Sequence, residues 1–225
     1  GLLILSIRFR ETIAPQAERK GYFAELKGGF QYLGRNQLFL LLVVGAVLSN
    51  SINSIFGSLQ APYISEIFRG GSETLSLFGA CETAGLLLAF YFYPKISERV
   101  PSRSQFLLTF GTSCASYLLL LLIPWLGWFR YPAAGLLMFG WGLLGGIAAS
   151  LFSVKLVQVV EPDSLGRAAS VFNAAGACVT PLMSAAIAGL VAFLPIQAAL
   201  LMGAAAAAVV FAVMARLKLC RALNG

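Results

Sequence analysis

Six stretches of about twenty apolar residues, each closed by a short break rich in charge, proline or glycine, dominate this chain. They fall at 38–64, 75–93, 106–123, 133–157, 168–193 and 196–215. The breaks read FRGGSE at 68–73, PKISERVPSRS at 94–104, PWLGWFRYP at 124–132, EPDSLGR at 161–167 and LP at 194–195. A helix rising about 1.5 Å per residue needs roughly 20 apolar residues to cross the hydrocarbon of a bilayer. Open sheet edges would leave backbone groups unpaired in lipid, and barrel strands would alternate over about ten residues. No such alternation runs through these stretches. Only 11% of residues are charged and the mean hydropathy is +0.83, whereas soluble domains carry about 25% charged residues. The expected fold is an all-α membrane protein, a six-helix transmembrane bundle set in a lipid bilayer.

The formal charge of +7 follows from topology rather than from a nucleic-acid partner. Arg8, Arg10, Arg19, Lys20, Lys27 and Arg35 precede the first span, and Lys95, Arg99 and Arg103 lie between the second and third. Lys155 and Arg167 flank the next break on that side, and Arg216, Lys218 and Arg221 end the chain. Only Arg69 and Arg130 fall on the other side. Cytoplasmic loops carry the excess of Lys and Arg, so both ends are expected in the cytoplasm, in a multi-pass protein of the cell (inner) membrane. Residues 1–36 read as the end of a preceding helix (GLLILSIRFRE), a cytoplasmic linker and an amphipathic interfacial helix. That last helix carries Phe23, Leu26, Phe30 and Leu33 at helical spacing. Residues 37–215 form the six-helix unit, and 216–225 a cytoplasmic tail. With four cysteines at unpaired spacing and no histidine, no disulfide framework, metal site or cofactor is expected.

Against this apolar background, the polar residues inside spans stand out. In SNSINSIFGS (49–58), Asn50, Asn53, Ser54 and Gly57 share one side of a helix. A polar stripe in a membrane helix faces either a neighbouring helix or a water-filled cavity; three amide and hydroxyl groups on one side favour a cavity. Glu82, in LFGACETAGLLLAF, is the only carboxylate well inside a span. Intramembrane carboxylates are rare and expensive, and one that can gain and lose a proton is what proton coupling needs. The alternative is a neutral acid bonded to an adjacent helix. In the fourth span Gly142, Gly145, Gly146, Ala149 and Ser153 make a small-residue ridge that lets backbones approach closely or slide. The fifth carries a weaker polar line, Asn173, Ala177, Thr180, Pro181 and Ser184, and the alanine-rich sixth reads as a peripheral scaffold.

The run VVEPDSLGRAASVFNAAGACVTPLMSAAIAG (159–189), with Pro162, Asp163, Gly166, Arg167, Ser170, Asn173, Pro181 and Gly189, resembles the corresponding segment of bacterial drug and siderophore exporters of the major facilitator superfamily. FAELKGGFQYLGRNQLFLLL (23–42) is similar to their approach to the seventh helix. The resemblance implies the C-terminal half of a twelve-helix fold, whose partner is the N-terminal six-helix half, with the substrate site between halves. It further implies a secondary active transporter, for which proton-coupled efflux of small amphipathic molecules is the expectation. Asn50, Asn53, Ser54 and Asn173 would line the substrate cavity and Glu82 would couple protons. Glu98, Arg99 and Arg103 stand where the superfamily has an acidic-basic loop signature, here without its glycines, and with Asp163 and Arg167 would gate the cytoplasmic side. The other expectation is a non-coupling scaffold or permease subunit of a multi-component transporter. An intramembrane enzyme is not expected, because no span holds histidine, aspartate or a Gly-x-Ser-x-Gly elbow.

Overall fold

The computed structural model describes residues 33–217 together with Cys220 and Leu223. The stub, the linker and most of the interfacial helix expected within 1–36, and most of the tail, lie outside the described residues. Among the described residues there are six α-helices and no strand: α1 (Gln37–Pro62), α2 (Ser72–Arg99), α3 (Ser102–Leu122), α4 (Arg130–Val159), α5 (Leu165–Val191) and α6 (Ile196–Arg216). Most ends fall in or beside the breaks in the sequence, but α2 runs on through Pro94 to Arg99, past the expected end at 93. Proline or glycine accounts for most of the stops. Val100 is extended ahead of Pro101, as a residue before proline prefers.

Helical structure runs from Ser102 to Val159 with one interruption, a stretch of 58 residues that is far too long for one crossing at about 1.5 Å per residue. It is split by the short 3-10 segment Ile123–Phe129, in which Gly127 takes φ 56° and ψ −120°, a backbone state open to glycine and hostile to a residue with Cβ. The chain turns back there. Phe106 packs on Phe152 and Tyr117 on Trp141, with ring centroids 5.9 and 5.4 Å apart, so α3 and α4 run antiparallel. At the same end of the bundle α1 closes in a π-helical turn, Tyr63–Phe68, stopped by Arg69 in the left-handed region at φ 52°. Phe68 stacks edge-on with Phe78 and Tyr131 (5.5 and 5.7 Å), and the Arg130 guanidinium lies over Phe68 and Tyr131.

Small residues set the helix pairs. The α2–α4 contact is backbone on backbone: a Cβ on Gly142 would lie 1.9 Å from the Glu82 carbonyl oxygen, and one on Gly85 would lie 2.0 Å from that of Phe139. Gly146 meets Ala89 in the same seam. Gly142 and Gly146 of the ridge read from the sequence are therefore a packing surface, as small residues make possible in lipid. The alanine-rich α6 lays Ala199, Gly203, Ala204 and Ala207, all buried, along the bundle, with Gly203 under the Tyr117 ring. On α1, the Ser58 hydroxyl, which donates to the Ser54 carbonyl at 2.8 Å, is hydrogen-bonded with that of Ser184 on α5 at 3.0 Å. At the end where α1 begins, Asn36 joins two helices. Its Oδ1 accepts from the amides of Leu38 and Phe39, capping α1, while Nδ2 donates to the carbonyl of Val159, the last residue of α4.

Candidate functional site

Midway along the helices, α1, α3 and α4 enclose a cavity of about 260 Å³, touched by Phe172 of α5. Its wall on α1 is Ser49, Asn50 and Asn53. On α3 it is Thr109, Thr112, Ser113 and Ser116, and on α4 it runs from Trp141 through Gly145 to Ser153. Among the described residues, no aspartate, glutamate, lysine or arginine lines it.

The hydroxyls are oriented by their own helices. Thr109 donates to the Gln105 carbonyl at 3.2 Å, Ser113 to that of Thr109 at 2.7 Å, Ser153 to that of Ala149 at 2.9 Å, and Thr112 to that of Leu108. A serine or threonine bonded to the carbonyl four residues back has used its one proton and keeps oxygen lone pairs for a guest. α3 therefore offers acceptors. Asn50 and Asn53 on the facing helix bring amide donors as well as carbonyl acceptors, and Gly176 of α5 leaves room for the Asn50 side chain, whose Nδ2 lies 3.0 Å from where a Cβ would stand. The result is a neutral chamber able to hydrogen-bond in both senses.

The sequence-derived site residues divide between this chamber and other places. Asn50 and Asn53 line it. Ser54 does not; it is buried against its neighbours, with its hydroxyl donated to the Asn50 carbonyl at 2.7 Å. Asn173 is exposed on α5, while its neighbour Phe172 reaches the chamber. Glu82 is half-buried on α2, outside the lining, with its backbone pressed against Gly142, next to Trp141. Glu98 and Arg99 are exposed at the end of α2. Arg103 reaches across to another helix. Its Nη2 donates to the Ala215 carbonyl at 3.2 Å, serving the last turn of α6, where carbonyls lack intrahelical partners. Asp163 and Arg167 are both exposed, and the Arg167 guanidinium donates to the Asp163 carbonyl. The loop residues thus stand at separate points of the same end. Sequence reasoning passed over the α3 wall entirely. Thr109, Thr112, Ser113 and Ser116 recur at i, i+3, i+4 and i+7, the spacing of one helix face, and that periodicity was the available signal.

The sequence model of the Major Facilitator Superfamily matches residues 1–182, well over half the chain. The chain belongs to the Major Facilitator Superfamily. No curated protein and no solved structure matches it. Members of this superfamily are membrane transporters rather than enzymes, and the all-α bundle with a polar chamber at mid-depth is the fold of such a protein. In transporters built from repeats, substrate sites lie near the bilayer midplane. The α1 side of the chamber, Ala46 to Asn53, falls in the middle of Gln37–Pro62.

Proposed function

We propose that this facilitator chain is the C-terminal half of a proton-coupled secondary transporter that exports small amphipathic molecules by alternating access, with both of its ends on the cytoplasmic face of the cell membrane. The observation that carries the reading is the uncharged, hydrogen-bonding chamber enclosed by α1, α3 and α4 at mid-depth. The nearly bare flank of α5, with Asn173, Ala177 and Thr180 exposed, supports an N-terminal six-helix half as the covering partner, since a polar face is costly against lipid. The likeness of residues 159–189 to drug and siderophore exporters supports export as the direction.

Glu82 is the coupling residue in this reading. Its backbone bears directly on Gly142 of α4, one residue from Trp141 in the chamber wall. A change of charge on Glu82 shifts the preferred seating of α2 on α4, and through it the balance between outward-open and inward-open states; a ligand or proton moves such a balance only by binding the two states unequally. The test is flux through the intact transporter in proteoliposomes carrying a pH gradient. Glu82→Gln, which cannot ionise, is expected to abolish acceleration by the gradient while leaving downhill exchange of substrate measurable. Gradient-driven transport at the wild-type rate would remove Glu82 from the mechanism.

A further inference from the structure

A second void, of about 440 Å³, lies between α3 and α4 on the Gly127 side of the chamber. Its wall is apolar, including Leu119, Ile123, Leu136, Leu137 and Gly140. It adjoins the chamber, and Thr112, Ser116, Trp141 and Leu144 border both. Along α4 the combined lining runs from Ser153 to Ala133, a rise of roughly 30 Å at about 1.5 Å per residue. Its chemistry changes once, at Trp141, whose ring is held between Phe56 and Tyr117 at centroid distances of 5.2 and 5.4 Å.

We propose that the two voids form one site for a single-chain amphiphile with an uncharged head, the head seated among Asn50, Asn53, Thr109 and Ser113 and the tail along the α3–α4 groove. Each part is argued from the walls. A sugar-like or amide head satisfies both the donors of α1 and the acceptors of α3. An ionic head would be desolvated with no opposite charge on either wall, which is costly for an unpaired ion. The tail has a dry apolar slot, and Leu119 and Leu136 on its rim are 45% and 72% exposed, so on the outside of the bundle the slot is open sideways to acyl chains. An amphiphile enters it from the bilayer without drawing its tail through water. The proposal names a substrate class for the transport reading above and rests on it for its purpose, although binding is measured apart from transport.

The test uses the intact protein with Trp125, Trp128 and any tryptophan outside these 225 residues replaced by phenylalanine, leaving Trp141 as the only tryptophan, reconstituted in unbrominated phosphatidylcholine. The probe is an alkyl glucoside brominated along its chain, which quenches tryptophan on contact. The expected result is saturable quenching of Trp141 that the unbrominated glucoside reverses, with brominated alkyltrimethylammonium and alkyl sulfate of equal chain length at least tenfold weaker. Gly140→Phe, at a position where a Cβ meets nothing within 4 Å, is expected to abolish the saturable component by filling the slot. Thr109→Val with Ser113→Ala is expected to raise the half-saturating concentration about tenfold, acting on the other end of the guest. Quenching that never saturates and is matched by brominated phosphatidylcholine means that the slot holds bulk lipid, and overturns the proposal. So does equal binding of the charged probes. Gradient-driven flux of another substrate without saturable quenching defeats the amphiphile site alone; saturable quenching without any gradient-driven flux defeats the transport reading alone.

Discussion

Tyr117 shows how one side chain of α3 holds the helix that carries the chamber's asparagines. Its hydroxyl donates to the Ile52 carbonyl and accepts from the Phe56 amide at 3.1 Å. Those two groups are four residues apart, the pair that an α-helix would bond to each other, so the hydroxyl stands within the hydrogen-bond ladder of α1. Inserted groups of this kind are a recognised cause of helix bending, and Asn53 lies between the two anchoring residues. In membrane proteins such interhelical bonds contribute about 0.6 kcal/mol on average and up to about 1.7. Tyr117→Phe is expected to lower stability by about 1 kcal/mol, because α1 can then close its own bond between Ile52 and Phe56. Reversible unfolding in mixed detergent measures it; a loss of more than about 3 kcal/mol would mean that the ring's packing, on Gly203 and Trp141, had been disturbed as well.

Among the helices, the seam between α2 and α4 and the wall of the chamber are built from the same glycine-rich run, with opposite requirements. Gly142 faces the Glu82 carbonyl, and a Cβ there would overlap it at 1.9 Å. Gly145 lines the chamber and a Cβ there meets no atom within 4 Å. Alanine at 142 must push two backbones apart, and overpacking of that kind typically costs about 1–3 kcal/mol. Alanine at 145 extends into empty space and adds a methyl group to the chamber wall. The expected outcome is a clear fall in thermal unfolding temperature in detergent for Gly142→Ala and almost none for Gly145→Ala. Equal falls for both would show that the seam is not the tight contact described. If Glu82 couples through this seam, Gly142→Ala will also weaken gradient-driven transport more than downhill exchange.

At the scale of the molecule, charge and aromatic packing distinguish the two ends. The end with the π-helical turn carries Arg69 and Arg130, the latter over the rings of Phe68 and Tyr131. The opposite end holds Lys95, Arg99, Arg103, Arg167 and Arg216. The positive-inside rule leads to the expectation that the second end faces the cytoplasm, as in the proposed topology. In a transporter freed of all its native cysteines, Ser72→Cys and Ser97→Cys place a thiol at exposed positions near opposite ends of α2. A membrane-impermeant maleimide added to intact cells is expected to label position 72 and to reach position 97 only after the membrane is opened. The reverse pattern would invert the topology and with it the direction assigned to transport.

What the sequence determined alone is whatever depends on the local run of residues. The solvent, the six helices, the breaks between them, and the uneven division of lysine and arginine all follow from hydropathy and charge counted along the chain, because the bilayer imposes length and backbone pairing on each segment separately. Half of the chamber was legible in the same way, since Asn50 and Asn53 break an apolar run that would otherwise need no polar group. Only the tertiary structure decided which faces meet. Ser54 follows Asn53 by one residue, yet a rotation of about 100° takes it out of the chamber, and Asn173 is likewise displaced by Phe172. The hydroxyl stripe of α3 gained its meaning by facing α1, and Arg103, grouped with loop charges by sequence, lies within reach of the end of α6. Helix rotation and pairing are set by backbone contacts such as Gly142 against Glu82, between residues far apart in the chain, and no local pattern encodes them.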